Sequence, residues 1–161
     1  MRTRFLSLTF IVASVAAPTF AQPIPVPKSL ATSAEIQAAI TKAQTDRKGN
    51  AAQVTEPLAS VPPYRINLEY RFAKNPPSVH DTEYELFYFV DGSGILTLGG
   101  TLVDAKRTNA NNQRGSEIQG GTEIPVSKGD VYIVPQNTPH MLTPIGGPLI
   151  DLSLHMPGSP K

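Results

Sequence analysis

The sequence predicts an all-β domain, a sandwich or barrel of short strands preceded by one α-helix. Short apolar or alternating stretches follow one another from residue 64 to residue 156, and each is bounded by Gly, Pro or Asn. Closely spaced short strands of this kind are typical of sandwiches and barrels. No helical pattern interrupts them, so a parallel sheet with crossover helices is excluded. The 161 residues are enough for one domain with a core.

Residues 1–21 have the pattern of a secretory signal peptide. Arg2 and Arg4 precede an apolar run over 5–17, which is too short to cross a bilayer as a helix of ~20 residues. Residues 19–21 place small side chains at the two positions that a signal peptidase requires. We expect cleavage before Gln22; the alternative is an uncleaved anchor.

The composition limits the compartments and the classes of partner that we expect for this chain. Arg2 and Arg4 are two of the 14 Lys and Arg residues, so the mature chain carries 12 of these against 13 Asp and Glu residues. No basic stripe is present, and we therefore expect no nucleic-acid partner. The chain has no Cys, which excludes disulfides and thiol chemistry. We expect a bacterial periplasmic or secreted protein with no stable membrane insertion after cleavage.

Residues 22–60 are predicted to form an arm, a helix and a linker before a β-domain over 61–158. Alternate prolines over 23–27 favour an extended arm. Thr32 and Glu35 have the spacing of a capping box, and apolar residues then fall on one helical face: Ile36, Ala39, Ile40 and Ala43. The stretch 51–63 is predicted to be a linker because Pro57 and the pair 62–63 break regular structure.

The strands follow in order. Residues 64–72 alternate, with one apolar face and one polar face. Residues 84–90 are almost wholly apolar and are predicted to be buried on both faces, with a turn over 91–94. The remaining predicted strands are 95–98, 101–103, 122–126, 131–135, 140–143 and 149–156. The polar stretch 106–121 is long enough to be a lid or a disordered surface insertion.

Two stretches carry candidate metal ligands. His80 and Glu85 are five positions apart, so they would point to opposite faces of one regular strand, and a turn at residues 81–82 is required to aim both inward. His140 follows a second predicted turn, over 137–139, and begins the next strand. Two imidazoles and one carboxylate would then meet at the barrel mouth. That set resembles a two-His-one-carboxylate centre, which leaves positions open for water, dioxygen or substrate.

The same stretches resemble the paired motifs of the cupin superfamily. In the first motif, Glu85 is followed by six residues and Gly92, and His80 matches the second of two His positions; Ser78 stands at the first, and the leading Gly is absent. In the second motif, Gly129, Pro135 and His140 match in register. Asn137 replaces a Gly there, and Pro144 replaces the final Asn. Asn, like Gly, tolerates a left-handed backbone.

The resemblance implies a double-stranded β-helix, or jelly roll, over about residues 61–157. It also implies a divalent metal (Fe, Mn, Ni, Zn or Cu) on His80, Glu85 and His140, and a homodimer formed through N-terminal elements. A metal-dependent enzyme on a small organic molecule, most simply an oxygenase, is the leading expectation. A metal-independent isomerase or epimerase and a periplasmic protein that binds a small ligand or metal are the alternatives.

Several site assignments stay open at this point. Glu83 competes with Glu85 for the carboxylate role. His155 is in phase with Asp151 and Ser153, and it either adds a ligand from the last strand or lies at the surface. Ser78 at a usual His position leaves a metal-free cupin as an alternative. The sequence identifies no catalytic residue, and it shows no Arg near either motif that would bind a carboxylate or phosphate.

Overall fold

The computed structural model describes residues 28–158. The predicted signal peptide over 1–21 and residues 22–27 of the predicted arm lie outside the described residues. The described part contains one helix, α1 (Ser33–Asp46), and thirteen strands. In chain order these are β1 (Gln53–Val61), β2 (Tyr64–Arg71), β3 (Ser78–His80), β4 (Glu83–Asp91), β5 (Ser93–Leu98), β6 (Thr101–Val103), β7 (Lys106–Arg107), β8 (Asn112–Arg114), β9 (Glu117–Gln119), β10 (Thr122–Ser127), β11 (Val131–Val134), β12 (His140–Pro144) and β13 (Leu149–Pro157).

Two antiparallel sheets form the domain, as the all-β prediction expected. The first sheet has the order β1-β2-β13-β4-β11, and the second has the order β10-β5-β12-β3-β8-β7; β6 and β9 form a separate pair. A hydrophobic core of buried residues from both sheets joins them: Phe87, Phe89, Leu96, Val126, Val134, Leu142 and Leu149. The last strand, β13, lies in the middle of the first sheet.

Helix α1 begins with the predicted capping box. The backbone N–H of Glu35 donates to Thr32 Oγ1 (3.3 Å), and the backbone N–H of Thr32 donates to Glu35 Oε2 (2.8 Å). Such a cap contributes about 1 kcal/mol to helix stability. The predicted apolar face packs on the outer face of the first sheet, where Ala43 is fully buried against Leu68 and Tyr70. The apolar side of β2 therefore points away from the barrel interior, and its polar side points into it.

The predicted linker over 51–63 is wrong, because most of it forms β1. This strand pairs with β2 along its whole length and lies at the edge of the sheet. Its register shifts between Pro57 and Ala59. An edge strand with a bulge tolerates a proline that cannot donate to a ladder, so the breaker signal did not prevent a strand.

The prediction that β4 is buried on both faces is also wrong. Phe87 and Phe89 are buried, but Tyr88 between them is 42% exposed. The outer face at this end of the sheet also exposes Val131 and Ile133 of β11. An uninterrupted apolar run therefore marks one buried face and one exposed apolar face here.

The stretch 106–121 is ordered, so the disordered-insertion alternative is wrong, whereas the lid alternative stays a prediction. It contributes β7, β8 and β9, and β8 pairs with β3 beside the candidate ligands. The backbone N–H of Asp81 donates to the carbonyl of Asn111 (2.8 Å) and joins the segment to the end of β3. Among the described residues, no helix is both long and apolar enough to cross a membrane.

Candidate metal centre

The two motif segments are joined directly at the backbone. Strand β3 ends at His80, residues 81–82 form the predicted turn, and β4 begins at Glu83. The backbone N–H of Asn137 donates to the carbonyl of His80 (2.6 Å). Asn137 has φ +59°, the left-handed conformation expected where Asn replaces Gly. This link fixes the turn before β12 against the end of β3, so His140 is delivered next to His80.

Glu85 is the centre of the resulting cluster. Its carboxylate Oε2 lies 3.1 Å from His80 Nε2 and 3.0 Å from His140 Nε2. Glu85 is 4% exposed, and its inward direction agrees with the burial of Phe87 two positions later on the same face of β4. The structure therefore brings together all three residues predicted as ligands.

His155 is the fourth member of the cluster. Its Nε2 lies 3.3 Å from Glu85 Oε1, and its side chain is 12% exposed, so the surface alternative is wrong. Strand β13 pairs with β4 with His155 opposite Glu85, which places both side chains on the interior face. The neighbours that share its phase, Asp151 and Ser153, are fully buried.

Glu83 takes a different position from Glu85. Its Oε2 lies 3.2 Å from His155 Nδ1, on the far side of the imidazole from Glu85. Glu83 contacts one imidazole, whereas Glu85 contacts three. The geometry favours Glu85 as the carboxylate ligand and Glu83 as a group that orients His155.

The other two imidazoles are oriented in the same way, through their Nδ1 atoms. His80 Nδ1 donates to Asn112 Oδ1 (2.8 Å), and His140 Nδ1 donates to the carbonyl of Thr138 (3.0 Å). With Nδ1 held by a hydrogen bond, Nε2 is the nitrogen that faces Glu85, and it can ligate a metal once it has lost its proton. Asn112 lies in β8, within the stretch 106–121 that is predicted from the sequence to be a lid or a surface insertion.

Contacts within the cluster shift the pKa values of Glu85, His80 and His155. Burial raises the pKa of Glu85, but hydrogen bonds from His140, His155 and His80 outweigh it and hold the pKa well below the usual value. Burial lowers the pKa of His80 and of His155, but the hydrogen bond and charge of Glu85 outweigh it, and both pKa values lie above 6.5. The ionised carboxylate of Glu85 thus faces two imidazoles, those of His80 and His155, whose pKa values are raised.

A cavity of about 150 Å³ opens beside the cluster. Ser78, at the usual position of a His, lines it together with Phe87 and Arg114. Phe87 forms an apolar part of the lining, whereas Glu69 and Arg71 form a charged part. The polar face of β2 supplies these two residues.

Arg71 is held by a buried ionic network. Its Nε donates to Asp151 Oδ1 (2.7 Å), and its guanidinium also donates to Glu69 and to the side chain of Gln53. Burial lowers the pKa of Arg71, but Asp151 and Glu69 outweigh this effect and raise it. Burial raises the pKa of Asp151 to about 7 despite the charge of Arg71. Asp151 thus forms an ion pair with a guanidinium that lines the cavity.

The donor set fits a divalent metal. One ligand atom each from His80, Glu85 and His155 lie within 4.8 Å of one another. His140 lies outside that compact group, but its Nε2 contacts the same carboxylate oxygen as His80. Imidazole nitrogens with one carboxylate suit Fe, Mn, Ni, Cu or Zn better than Mg or Ca, which prefer oxygen ligands.

Sequence reasoning missed Asn112 and Arg71, and it could place His155 only as an alternative. The alternation of polar and apolar residues could have indicated these positions. Glu69 and Arg71 alternate with apolar residues in β2, and Asp151, Ser153 and His155 do so in β13. Two polar faces that belong to neighbouring central strands indicate a polar interior. Nothing in the sequence singled out Asn112.

Comparisons with known proteins agree with this architecture. Neither a protein-family model nor a curated protein sequence matches the chain. Solved structures do match. A protein with a double-stranded β-helix domain from Klebsiella pneumoniae is 15% identical with a TM-score of 0.52, covering 70% of this chain and 84% of that one. The cupin domain of Cnp3 from Schizosaccharomyces pombe is 15% identical with a TM-score of 0.50, covering 71% of each chain.

A third match is hydroquinone 1,2-dioxygenase from Sphingomonas sp. TTNP3, at 16% identity and a TM-score of 0.51, with 68% of this chain and 70% of that one covered. At these identities the comparisons establish the fold. The chain therefore has the double-stranded β-helix fold of the cupins, as its two motifs predicted.

Proposed function

We propose that the protein is a metal-dependent, oxygenase-type enzyme that acts on a small organic molecule. The observation that carries the proposal is the convergence of three imidazole Nε2 atoms on one buried carboxylate, that of Glu85, at the edge of a cavity. His80, Glu85 and His140 are the predicted ligands, and we propose His155 as a fourth, which its Nε2 at 3.3 Å from Glu85 Oε1 supports. A metal held by this set supplies Lewis-acid and redox chemistry.

The protein's own residues prepare the site before any substrate arrives. Asn112, Thr138 and Glu83 fix the ring orientations of the three imidazoles through their Nδ1 atoms. Phe87 is 1% exposed, and its ring centroid lies 6.2 Å from that of His140, so it closes one side of the cluster to water. Ligand side chains that are held in place in this way need little rearrangement on binding.

The oxygenase class is supported by the chemistry of the ligand set and by the fold. Two or three His with one carboxylate is a set that non-haem oxygenases use, because it leaves open positions on the metal. One of the structural matches is a dioxygenase by its name.

Elemental analysis of the protein from its native compartment, followed by oxygen uptake with candidate substrates, tests the proposal. We expect about one divalent ion per chain, lost in Glu85→Gln but retained in the matched variant Glu117→Gln, which removes an exposed carboxylate from β9. Metal-free protein that turns over a substrate in the presence of a chelator would contradict the proposal and favour the metal-independent isomerase. A bound metal without oxygen uptake would favour the binding-protein alternative.

Export and assembly belong to the same proposal. We place the protein in the bacterial periplasm or outside the cell, on the pattern of residues 1–21. We also propose a homodimer. Cell fractionation with N-terminal sequencing of the mature chain checks the first statement, and light scattering checks the second.

A further inference from the structure

A row of four residues crosses the wall of the cavity beside the His–Glu cluster. In the ladder β7-β8-β3-β12, Lys106 is opposite Arg114, Arg114 is opposite Ser78, and Ser78 is opposite His140. Residues directly opposite each other on neighbouring strands project from the same face of a sheet. Since His140 points to Glu85, Ser78 and Arg114 also point to the cavity side, and both line the cavity.

Arg114 is available for a ligand. Within residues 28–158, its guanidinium has no ion pair or hydrogen bond, and it lies exposed at the mouth. The contrast with nearby arginines is direct. Arg71 is saturated by the buried network, and Arg107 pairs with Asp81 at 2.8 Å. The hydroxyl of Ser78 likewise has no hydrogen-bond partner among the described residues, although it lies between Arg114 and His140.

The charge balance of the cavity favours a small anion. Glu69 and Asp151 offset the charge of Arg71. This leaves Glu85 and Arg114 as the charged groups of the lining that have no ion pair within this buried network. A divalent cation on the cluster would leave the cavity positive. Lys106, next to Arg114 in the row and exposed, adds positive charge on the approach, which attracts anions from solution.

We propose that Arg114, with Ser78 beside it, binds the carboxylate of a small organic acid whose other polar atoms face the His–Glu cluster. The assignment rests on the proposed function, and it names the substrate class of that same site. A guanidinium holds a planar carboxylate through two parallel N–H donors, which fixes orientation as well as charge. A carboxylate brings a single negative charge, whereas inorganic phosphate brings up to two.

The size of the cavity limits the acid. Its volume is about 150 Å³, and one side is open to solvent. An acid of a few carbon atoms fits inside this space, whereas a nucleotide or an oligosaccharide would extend out of it. Arg114 lies at the mouth, so a longer acid would extend into solvent on that side.

The experiment is a calorimetric titration of the metal-loaded protein with small probes. Glycolate and pyruvate are the acids, glycolamide is the neutral analogue, and inorganic phosphate tests the other anion class. We expect the wild type to bind an acid more tightly than glycolamide or phosphate. We expect Arg114→Gln to weaken acid binding about 10- to 100-fold, the range for charge-assisted hydrogen bonds, and Arg114→Lys to weaken it less. Lys128→Gln, which removes an exposed charge paired with Asp91, should leave binding unchanged.

Metal titration of the same variants separates this inference from the function beneath it. Arg114 touches none of the four candidate ligands, so Arg114→Gln should bind metal as tightly as the wild type. If the wild type binds no metal, the proposed function fails, and this substrate class fails with it. If metal binds but acid affinity is equal in the wild type and Arg114→Gln, or if phosphate or glycolamide binds as tightly as the acids, this inference alone is overturned.

Discussion

Replacing His155 by Ala tests whether the last strand of the chain supplies a metal ligand. The His155 Nε2 atom lies 3.3 Å from Glu85 Oε1, and the side chain is 12% exposed. Loss of a group that only orients a ligand typically costs 10- to 100-fold in metal affinity. A direct ligand contributes at least as much, so we expect His155→Ala to weaken binding by about 10- to 100-fold or more.

The slope of metal affinity against pH is a second quantity that tests the ligand role of His155. The pKa values of His80 and His155 lie above 6.5 because Glu85 stabilises their charged forms. An imidazole must lose its proton before it ligates, so protons compete with metal as pH falls. For each such His, the metal affinity falls about tenfold for every pH unit below the pKa of that His. The wild type should therefore lose affinity from above pH 6.5 downward, and His155→Ala should lower that slope by about one.

Calorimetry over pH 5.5–8, in two buffers of different ionisation enthalpy, measures both affinity and the number of protons released. Glu83→Gln is the matched control: it removes the charged partner of His155 Nδ1 but keeps the imidazole, so affinity should fall while the slope stays near that of the wild type. Circular dichroism checks that the variants are folded. Equal affinity and equal slope in His155→Ala and the wild type would refute a ligand role for His155.

Two further predictions concern the groups behind the cluster. Arg71→Met leaves Asp151 buried without its cation and should lower the free energy of unfolding by about 3–5 kcal/mol in urea; adding Asp151→Leu should restore much of it, and a loss below about 1 kcal/mol in the single variant would contradict the argument. Asn112→Ala removes the acceptor of His80 Nδ1 and should weaken metal binding about 10- to 100-fold. The exposed neighbour variant Ser116→Ala should not, and equal losses in both would assign the effect to the hairpin as a whole.

The sequence predicted the strands and the cluster better than it predicted which side of each strand faces the interior. Alternation in β2 separated its apolar and polar faces correctly, because Leu68 and Tyr70 pack with α1 whereas Glu69 and Arg71 line the cavity. Alternation cannot say which face is inside when a helix covers the outer surface, and here α1 packs on the apolar face while Glu69 and Arg71 turn inward. The same ambiguity left two positions open for His155, a ligand position and a surface position.

His80, Glu85 and His140 could be predicted because turns on either side fix their position, and turn residues are local signals. Asn112 could not, because its place depends on the pairing of β8 with β3, and β8 has no apolar alternation of its own. The position of Arg114 could not be predicted either, because Arg114 also lies in β8. Long-range pairing of a polar strand is decided by backbone hydrogen bonds that every sequence can make.

The position of β13 has a consequence for the order in which the molecule can assemble. This strand follows β2 and β4 in the chain by more than 50 residues, yet it lies between them and carries His155. Until it inserts, β2 and β4 lack their shared neighbour, and Glu85 lacks one of its three imidazoles. The cluster is therefore completed only after residues 149–157 have been synthesised and have paired with β2 and β4. A metal ion bound by residues of β3, β4, β12 and β13 would stabilise the pairing of β13 with β2 and β4. It would therefore slow both the separation of β13 from the sheet and the unfolding of the whole domain.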